Sequence, residues 1–142
     1  MIAIQNINVE RKKIRFTATY DRSLVIKADR KMFISILYNL FSNAIKFVPV
    51  GGEVRFESEI KDGVYSFCFL NNTEGITSED LPKLFDKKVV HTTEGTAHEK
   101  GTGLGLMICK EFVEIHGGNI RAELTPGNRI SFTFTIPINR QV

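Results

Sequence analysis

Apolar and polar positions alternate along residues 14–20 and again along 24–28, with Asp21-Arg22-Ser23 between the two runs. A period of two marks a strand with one buried face, so these segments are expected as two strands paired through a turn. At Asp29 the period changes. Phe33, Leu37, Leu40, Ala44 and Val48 recur every three or four residues. This predicts a helix capped by Asp29, running to about Phe47 and stopped by Pro49 and Gly51-Gly52. A second face of that helix is polar, carrying Ser35, Asn39, Asn43 and Lys46.

Alternation returns along residues 54–60 and 64–70, joined through Lys61-Asp62-Gly63. Asp-Gly between alternating runs predicts an antiparallel hairpin. Asn71 to Ile76 reads as a tight loop, and Thr77-Ser78-Glu79-Asp80-Leu81 offers capping residues for a short helix ending near Phe85. Residues 86–100 form a polar, partly basic stretch whose length in a compact domain points to a functional or mobile loop, here a lid. From near Gly103, Leu104, Ile108, Phe112 and Ile115 mark the buried side of another helix. It ends at His116-Gly117-Gly118, with His116 as a helix-end residue. Residues 120–124 and 130–136 alternate about Pro126-Gly127-Asn128 and close the chain with a hairpin. The expected fold class is α/β (α+β). It is a two-layer sandwich, a mixed, largely antiparallel sheet of about five strands covered on one face by about three helices.

Composition adds boundaries to this outline. The chain has 142 residues, 42% of them hydrophobic, and a formal net charge of +3 with scattered basic residues. That describes one globular domain, residues 1–142, with neither a polyanion-binding stripe nor an apolar run long enough to span a membrane. No nucleic-acid partner and no membrane insertion by this segment are expected. Cys68 and Cys109 lie in apolar segments without a Cys-x-x-Cys partner and read as buried thiols, in keeping with a cytoplasmic location.

Chemistry concentrates in Lys100-Gly101-Thr102-Gly103-Leu104-Gly105-Leu106. Glycines at alternate positions opening a helix leave backbone N–H groups bare at its N-terminus, which is an anion site. No Gly-Lys-Ser/Thr run is present, and the preceding residues 91–100 form a polar loop rather than a strand. Both the nucleoside-triphosphatase P-loop and the dinucleotide fingerprint are thereby disfavoured.

Asn39-Leu40-Phe41-Ser42-Asn43-Ala44-Ile45-Lys46-Phe47, the loop from Asn71 to Ile76, Leu84-Phe85 and the glycine box together resemble the ordered boxes of the sensor histidine kinase catalytic and ATP-binding domain. This is the GHKL ATPase/kinase superfamily, or Bergerat fold. The resemblance runs from about Ile14 to Pro137. It implies Mg-ATP binding, with Asn43 as the Mg²⁺ ligand, Asn39 beside it, and Lys46 reaching the phosphates. Asn39 and Lys46 are the expected catalytic residues. The expected nucleotide contacts are Asn39, Asn43, Lys46, Phe47, Asn71, Gly75, Ile76, Lys100, Gly101, Thr102, Gly103, Leu104, Gly105 and Leu106. An amide at position 39, where ATP-hydrolysing relatives have a glutamate, cannot serve as a general base for water. The chemistry so implied is transfer of the γ-phosphoryl group to a histidine on a separate dimerisation domain, with a response regulator downstream. His91, His98 and His116 lack the acceptor's setting, so the phosphoacceptor lies outside this chain. The segment is expected in the cytoplasm, including as the cytoplasmic part of a membrane-bound sensor.

Departures from the family pattern lie around the base and the lid. Where the family has Asp-x-Gly-x-Gly, an ungapped alignment puts Asn71 at the Asp and Thr73 at the first Gly, keeping Gly75; a shift by one residue would instead make Asn72 the adenine contact. Loss of the carboxylate costs on the order of 1 kcal/mol. On this reading Asn71→Asp tightens ATP by up to about tenfold, and Thr73 crowds the base. Gly127-Asn128-Arg129 lacks the second glycine expected before the last strand, and Lys88 replaces an aromatic. The alternatives are a degenerate, non-catalytic nucleotide-binding or protein-interaction domain of the same fold, or an anti-sigma-type serine kinase.

Overall fold

The computed structural model describes residues 10–74, 76–85 and 105–138. Its elements are β1 (Arg15–Thr19), α1 (Arg30–Phe47), β2 (Glu53–Lys61), β3 (Val64–Asn72), α2 (Gly105–Ile115), β4 (Ile120–Thr125) and β5 (Arg129–Pro137), with a 3₁₀ turn at Leu81–Lys83. The sheet has five strands in the order β1-β2-β3-β5-β4. The β1–β2 pair is parallel and the other pairs are antiparallel. A mixed, largely antiparallel sheet was expected, and it is found.

Local chemistry sets several boundaries as anticipated. Asp29 caps α1, its Oδ1 accepting from Met32 N at 2.9 Å. The β2–β3 hairpin turns on Asp62 and Gly63 at φ of +53° and +76°, with Lys61 opposite Val64. Two consecutive positive φ values define the turn whose twist suits a two-residue hairpin. The helix α2 ends at Gly117 (φ +79°), where Gly117 N donates to Glu114 O and Gly118 N to Val113 O. These two bonds satisfy carbonyls that a helix end otherwise leaves bare.

Residues 24–28 do not pair with β1, contrary to the strand expected there. Asp21 does make the turn, its Oδ1 accepting from Ser23 N at 2.8 Å. But β1 gives one edge to β2 in parallel, Arg15 opposite Glu53. Leu24, Ile26 and Ala28 pack against the core, while Val25 is 82% exposed and its carbonyl accepts from the Tyr65 hydroxyl at 2.8 Å. Alternation here reflects an extended cover with one face inward, with no ladder behind it.

The core lies between the helices and one sheet face. Phe67 and Phe134 stack, Phe33 meets both edge-on, and Phe41, Phe69 and Phe56 continue the ring contacts along the sheet. On α1 the buried set adds Ile36, Phe41, Ile45 and Phe47 to the expected stripe, of which Phe33 and Leu37 are only half-buried, because α1 packs against α2 as well as the sheet. Cys109 Sγ of α2 reaches Ile36 O of α1 at 3.7 Å. On α2 the buried stripe is Leu106, Cys109 and Val113, continued by His116, not the Ile108–Phe112–Ile115 stripe expected, and Ile115 is 55% exposed. Leu104 falls outside the described residues. The other sheet face carries Glu53, Arg55, Cys68, Ser131, Thr133 and Arg121 at paired positions.

Candidate functional site

The polar side of α1 is organised by its own backbone. Asn39 Nδ2 donates to Ser35 O at 2.8 Å and to Ser35 Oγ at 3.2 Å, and Asn43 Nδ2 donates to Asn39 O at 2.8 Å. Each amide turns its Nδ2 to the preceding turn, and each keeps Oδ1 for a partner off the helix. Gly105, the first residue of α2, sits against this ledge: a Cβ at Gly105 would lie 2.8 Å from Asn39 Oδ1. A glycine here lets the start of α2 lie directly beside the amide, where a larger residue would displace the Asn39 side chain. Lys46 is half-buried, with Nζ over the Phe47 ring at 4.9 Å from its centroid. Phe47 is itself buried.

Two residues whose long-range partners carry no sequence signal hold this frame. Lys12 is 4% exposed, and its Nζ donates to Ile45 O (2.8 Å), Lys46 O (3.0 Å) and Val48 O (3.0 Å). An ammonium thereby caps the C-terminus of α1, satisfying its terminal carbonyls and opposing its dipole. Gly51 N donates to Lys12 O at 2.8 Å and Arg15 N to Gly52 O at 2.9 Å, so the segment entering β1 is clamped to the turn leaving α1. His116 is fully buried, a stronger role than that of a helix-end residue. Its Nε2 accepts from Asp29 N at 2.9 Å and its Nδ1 lies 2.7 Å from Phe112 O. These partners select the tautomer with the proton on Nδ1, and the ring joins the end of α2 to the start of α1. A histidine before two glycines could have been sought as a cap, but its long-range partner Asp29 could not.

The end of β3 is the other half of the site. Asn71 is 1% exposed on the same strand face as Phe67 and Phe69, and its Oδ1 has no hydrogen-bond partner. Asn72 falls on the opposite face, where its Oδ1 accepts from Glu53 N at 3.0 Å. The one-residue shift that would make Asn72 the base contact therefore conflicts with the strand's alternation. Ile76 is half-buried against the core, and Leu106 is buried within it. Gly75, Lys100, Gly101, Thr102, Gly103 and Leu104 lie outside the described residues, as does the whole of the expected lid at 86–100.

Other features are set apart from this ledge. A shallow, open depression is lined by Glu53, Arg55, Leu70, Asn71, Asn72 and Arg129 and touches none of the α1 amides. The Glu53 carboxyl there is held below its usual range by its hydrogen bond from Arg55, with Arg15 and Arg129 adding to the effect. Burial pushes the Cys109 thiol up to about 12, and Cys68, half-buried on the polar sheet face, is also raised by desolvation. Both stay as thiols, and only Cys109 is the core residue expected. Among the described residues no group of three His, Cys, Asp or Glu is placed to hold a metal. No described helix is long and apolar enough to cross a membrane.

A two-layer sandwich with paired amides on its long helix and a glycine-opened second helix beside them defines a class. Residues 28–140 match the family described as histidine kinase-, DNA gyrase B-, and HSP90-like ATPase, and the chain belongs to it. It is 35% identical over 123 residues to the sensor histidine kinase WalK of Bacillus subtilis, covering 85% of this chain and 20% of that protein. It is 30% identical over 122 residues to the signal transduction histidine-protein kinase BaeS of Escherichia coli, covering 84% of this chain and 26% of that one. The chain thus spans about a fifth to a quarter of the length of these relatives. Among solved structures, the catalytic domain of histidine kinase ThkA superimposes with a TM-score of 0.80 at 30% identity, covering 96% of this chain and 88% of that one.

Proposed function

We propose that this chain is the ATP-binding catalytic domain of a sensor histidine kinase, presenting Mg-ATP to a histidine on a separate dimerisation domain. The observation that carries the reading is the pair of α1 amides, each with its Nδ2 committed to the helix backbone, set against Gly105 at the start of α2. Hard amide oxygens suit Mg²⁺ when phosphates and water complete an octahedron. Asn43, with Asn39 beside it, would hold the ion, which supplies charge neutralisation at the transferring phosphates. Lys46 lies on the same side of α1 and adds a cation for the phosphates. Gly105 opens α2 with a bare backbone N–H, and Lys100, Gly101, Thr102, Gly103 and Leu104 are assigned to the phosphates from the sequence pattern. At the other end of the site, Asn71, Gly75 and Ile76 take the adenine. Phe47 and Leu106 serve from beneath, Phe47 under the Lys46 ammonium and Leu106 in the packing that seats α2.

Transfer in place of hydrolysis follows from residue 39. Its amide can orient a group but cannot take a proton from water, so the nucleophile comes from outside. His116 is no candidate acceptor, since both ring nitrogens are engaged in the interior. The sensor kinases among the relatives support histidine as the acceptor, and the solved complex of histidine kinase ThkA with the response regulator TrrA supports a regulator downstream. Free cysteines fit a cytoplasmic location.

Calorimetric titration of the chain with ATP tests the reading. Binding that is tightened by Mg²⁺ and loses that gain in Asn43→Ala, with phosphate transferred to an added histidine-bearing dimerisation domain, is the expected result. ATP binding in which parent and Asn43→Ala show the same Mg²⁺ effect would remove the metal site. Acid-stable phosphoserine as the product would replace the acceptor.

A further inference from the structure

Along β3 and just beyond it, side chains at residues 67, 69, 71 and 73 are all buried, while those at 70 and 72 are less so. The first two are phenyl rings within the core, and the next two are an amide and a hydroxyl. Asn71 is 1% exposed and Thr73 is 4% exposed, and Asn71 Oδ1 and Thr73 Oγ1 both lack a hydrogen-bond partner. Buried polar atoms are paired in the great majority of cases, because leaving one unpaired forfeits its hydration without replacement. Two such atoms two residues apart indicate a ligand edge.

The backbone carrying them is fixed from three sides. Asn72 Oδ1 accepts from Glu53 N at 3.0 Å, tying the strand end to β2. Thr73 N donates to Asn128 O at 2.8 Å, tying the following residue to the β4–β5 turn. Asn71 Nδ2 donates to Asn72 O at 2.7 Å. The last bond also fixes which end of the amide is offered. Turning the amide over would set Oδ1 against the Asn72 carbonyl oxygen, two acceptors with no proton between them, so Asn71 offers its oxygen alone.

Resting on the ATP reading above, we propose that Thr73 is a specificity-determining residue that reads the purine ring directly. Its hydroxyl donates to ring N1, while Asn71 Oδ1 accepts from the 6-amino group. Sequence alone presents Thr73 as bulk in place of a glycine; the unpaired, buried Oγ1 makes it a contact. A 6-oxo purine reverses both partners. The hydroxyl can turn to accept from N1–H, but the fixed Asn71 oxygen then faces the 6-oxo oxygen, so the pair selects adenine over guanine and hypoxanthine.

Thr73→Val keeps the shape and removes the hydroxyl, and Thr73→Ser keeps the hydroxyl. With Mg²⁺ present, the full chain and both variants are titrated with ATP and with 1-deaza-ATP, in which N1 is replaced by C–H. Thr73→Val is expected to weaken ATP about threefold to tenfold, the worth of one neutral hydrogen bond, and to leave 1-deaza-ATP unchanged. Thr73→Ser should bind ATP like the parent. Without nucleotide, Thr73→Val should melt no lower than the parent, since it removes an unsatisfied buried group. A hydroxyl with only a structural role gives the opposite pattern, a lower melting point and equal changes for both nucleotides, and that result overturns the proposal. Unchanged ATP affinity in Thr73→Val overturns it while leaving ATP binding intact. A parent chain that binds no ATP sinks both.

Discussion

Lys12→Met removes the cap on the last turn of α1 while keeping a flexible apolar stem of similar length. The wild-type ammonium is 4% exposed and bonded to three carbonyls at 2.8, 3.0 and 3.0 Å. At about 1 kcal/mol net for each bond, the loss is about 3 kcal/mol, and methionine offers the stranded carbonyls nothing. For a chain of 142 residues the unfolding entropy near the midpoint is about 0.3 kcal/mol/K. The melting temperature should therefore fall by about 10 °C in a calorimetric scan. Lys12→Arg, which retains the charge in a bulkier, planar head, should recover part of that loss. Because Lys46 and Phe47 belong to the turn that Lys12 holds, ATP affinity should fall in Lys12→Met at temperatures where the chain remains folded. A melting point for Lys12→Met within about 3 °C of the parent, which corresponds to about 1 kcal/mol, would refute the cap.

Three further substitutions probe the frame at separate points. Gly105→Ala directs a Cβ to 2.8 Å from Asn39 Oδ1; the side chain can yield, so the melting point should hold or rise by virtue of alanine's helix propensity while Mg²⁺-dependent ATP binding weakens several-fold in titration. Unchanged binding would separate the start of α2 from the amide ledge. Gly118→Ala places its Cβ 1.7 Å from the backbone Thr135 O; with β5 unable to move aside, a loss of about 3 kcal/mol or more is expected in denaturant unfolding, and a near-parental midpoint would contradict the packing of this turn. Asn71→Asp replaces the donor to Asn72 O with an acceptor at a site 1% exposed. Burial and the facing carbonyl raise the folded-state pKa of the new carboxyl, so the deficit in melting temperature should grow as pH rises from about 5 to about 8. Any gain in ATP affinity should fall short of the about tenfold expected when position 71 is considered only as a ligand contact. A pH-independent melting difference would show that the carboxylate is not buried there.

The sequence by itself determined what nearest neighbours decide. Asp29 and its spacing from Met32 suffice for the α1 cap, Asp62-Gly63 suffices for the hairpin and its register, and the i, i+4 interval of Asn39 and Asn43 puts two amides on one ledge. Each depends on chain geometry over a few residues, which periodicity and turn chemistry report directly. Tertiary structure decided the partnerships between distant segments. Residues 24–28 have a strand's alternation and no ladder: β1 is an edge strand paired in parallel with β2, and Leu24, Ile26 and Ala28 are spent on covering the core. Lys12 looks like any surface lysine until the carbonyls of Ile45, Lys46 and Val48 are brought around it, 33 to 36 residues along the chain. His116 finds Asp29 across 87 residues, and that contact turns a helix-end residue into the tie between the two helices of the site. Thr73 can be read from the sequence only as bulk, since a hydroxyl's worth depends on whether a partner stands within reach, and only packing shows that its Oγ1 has none.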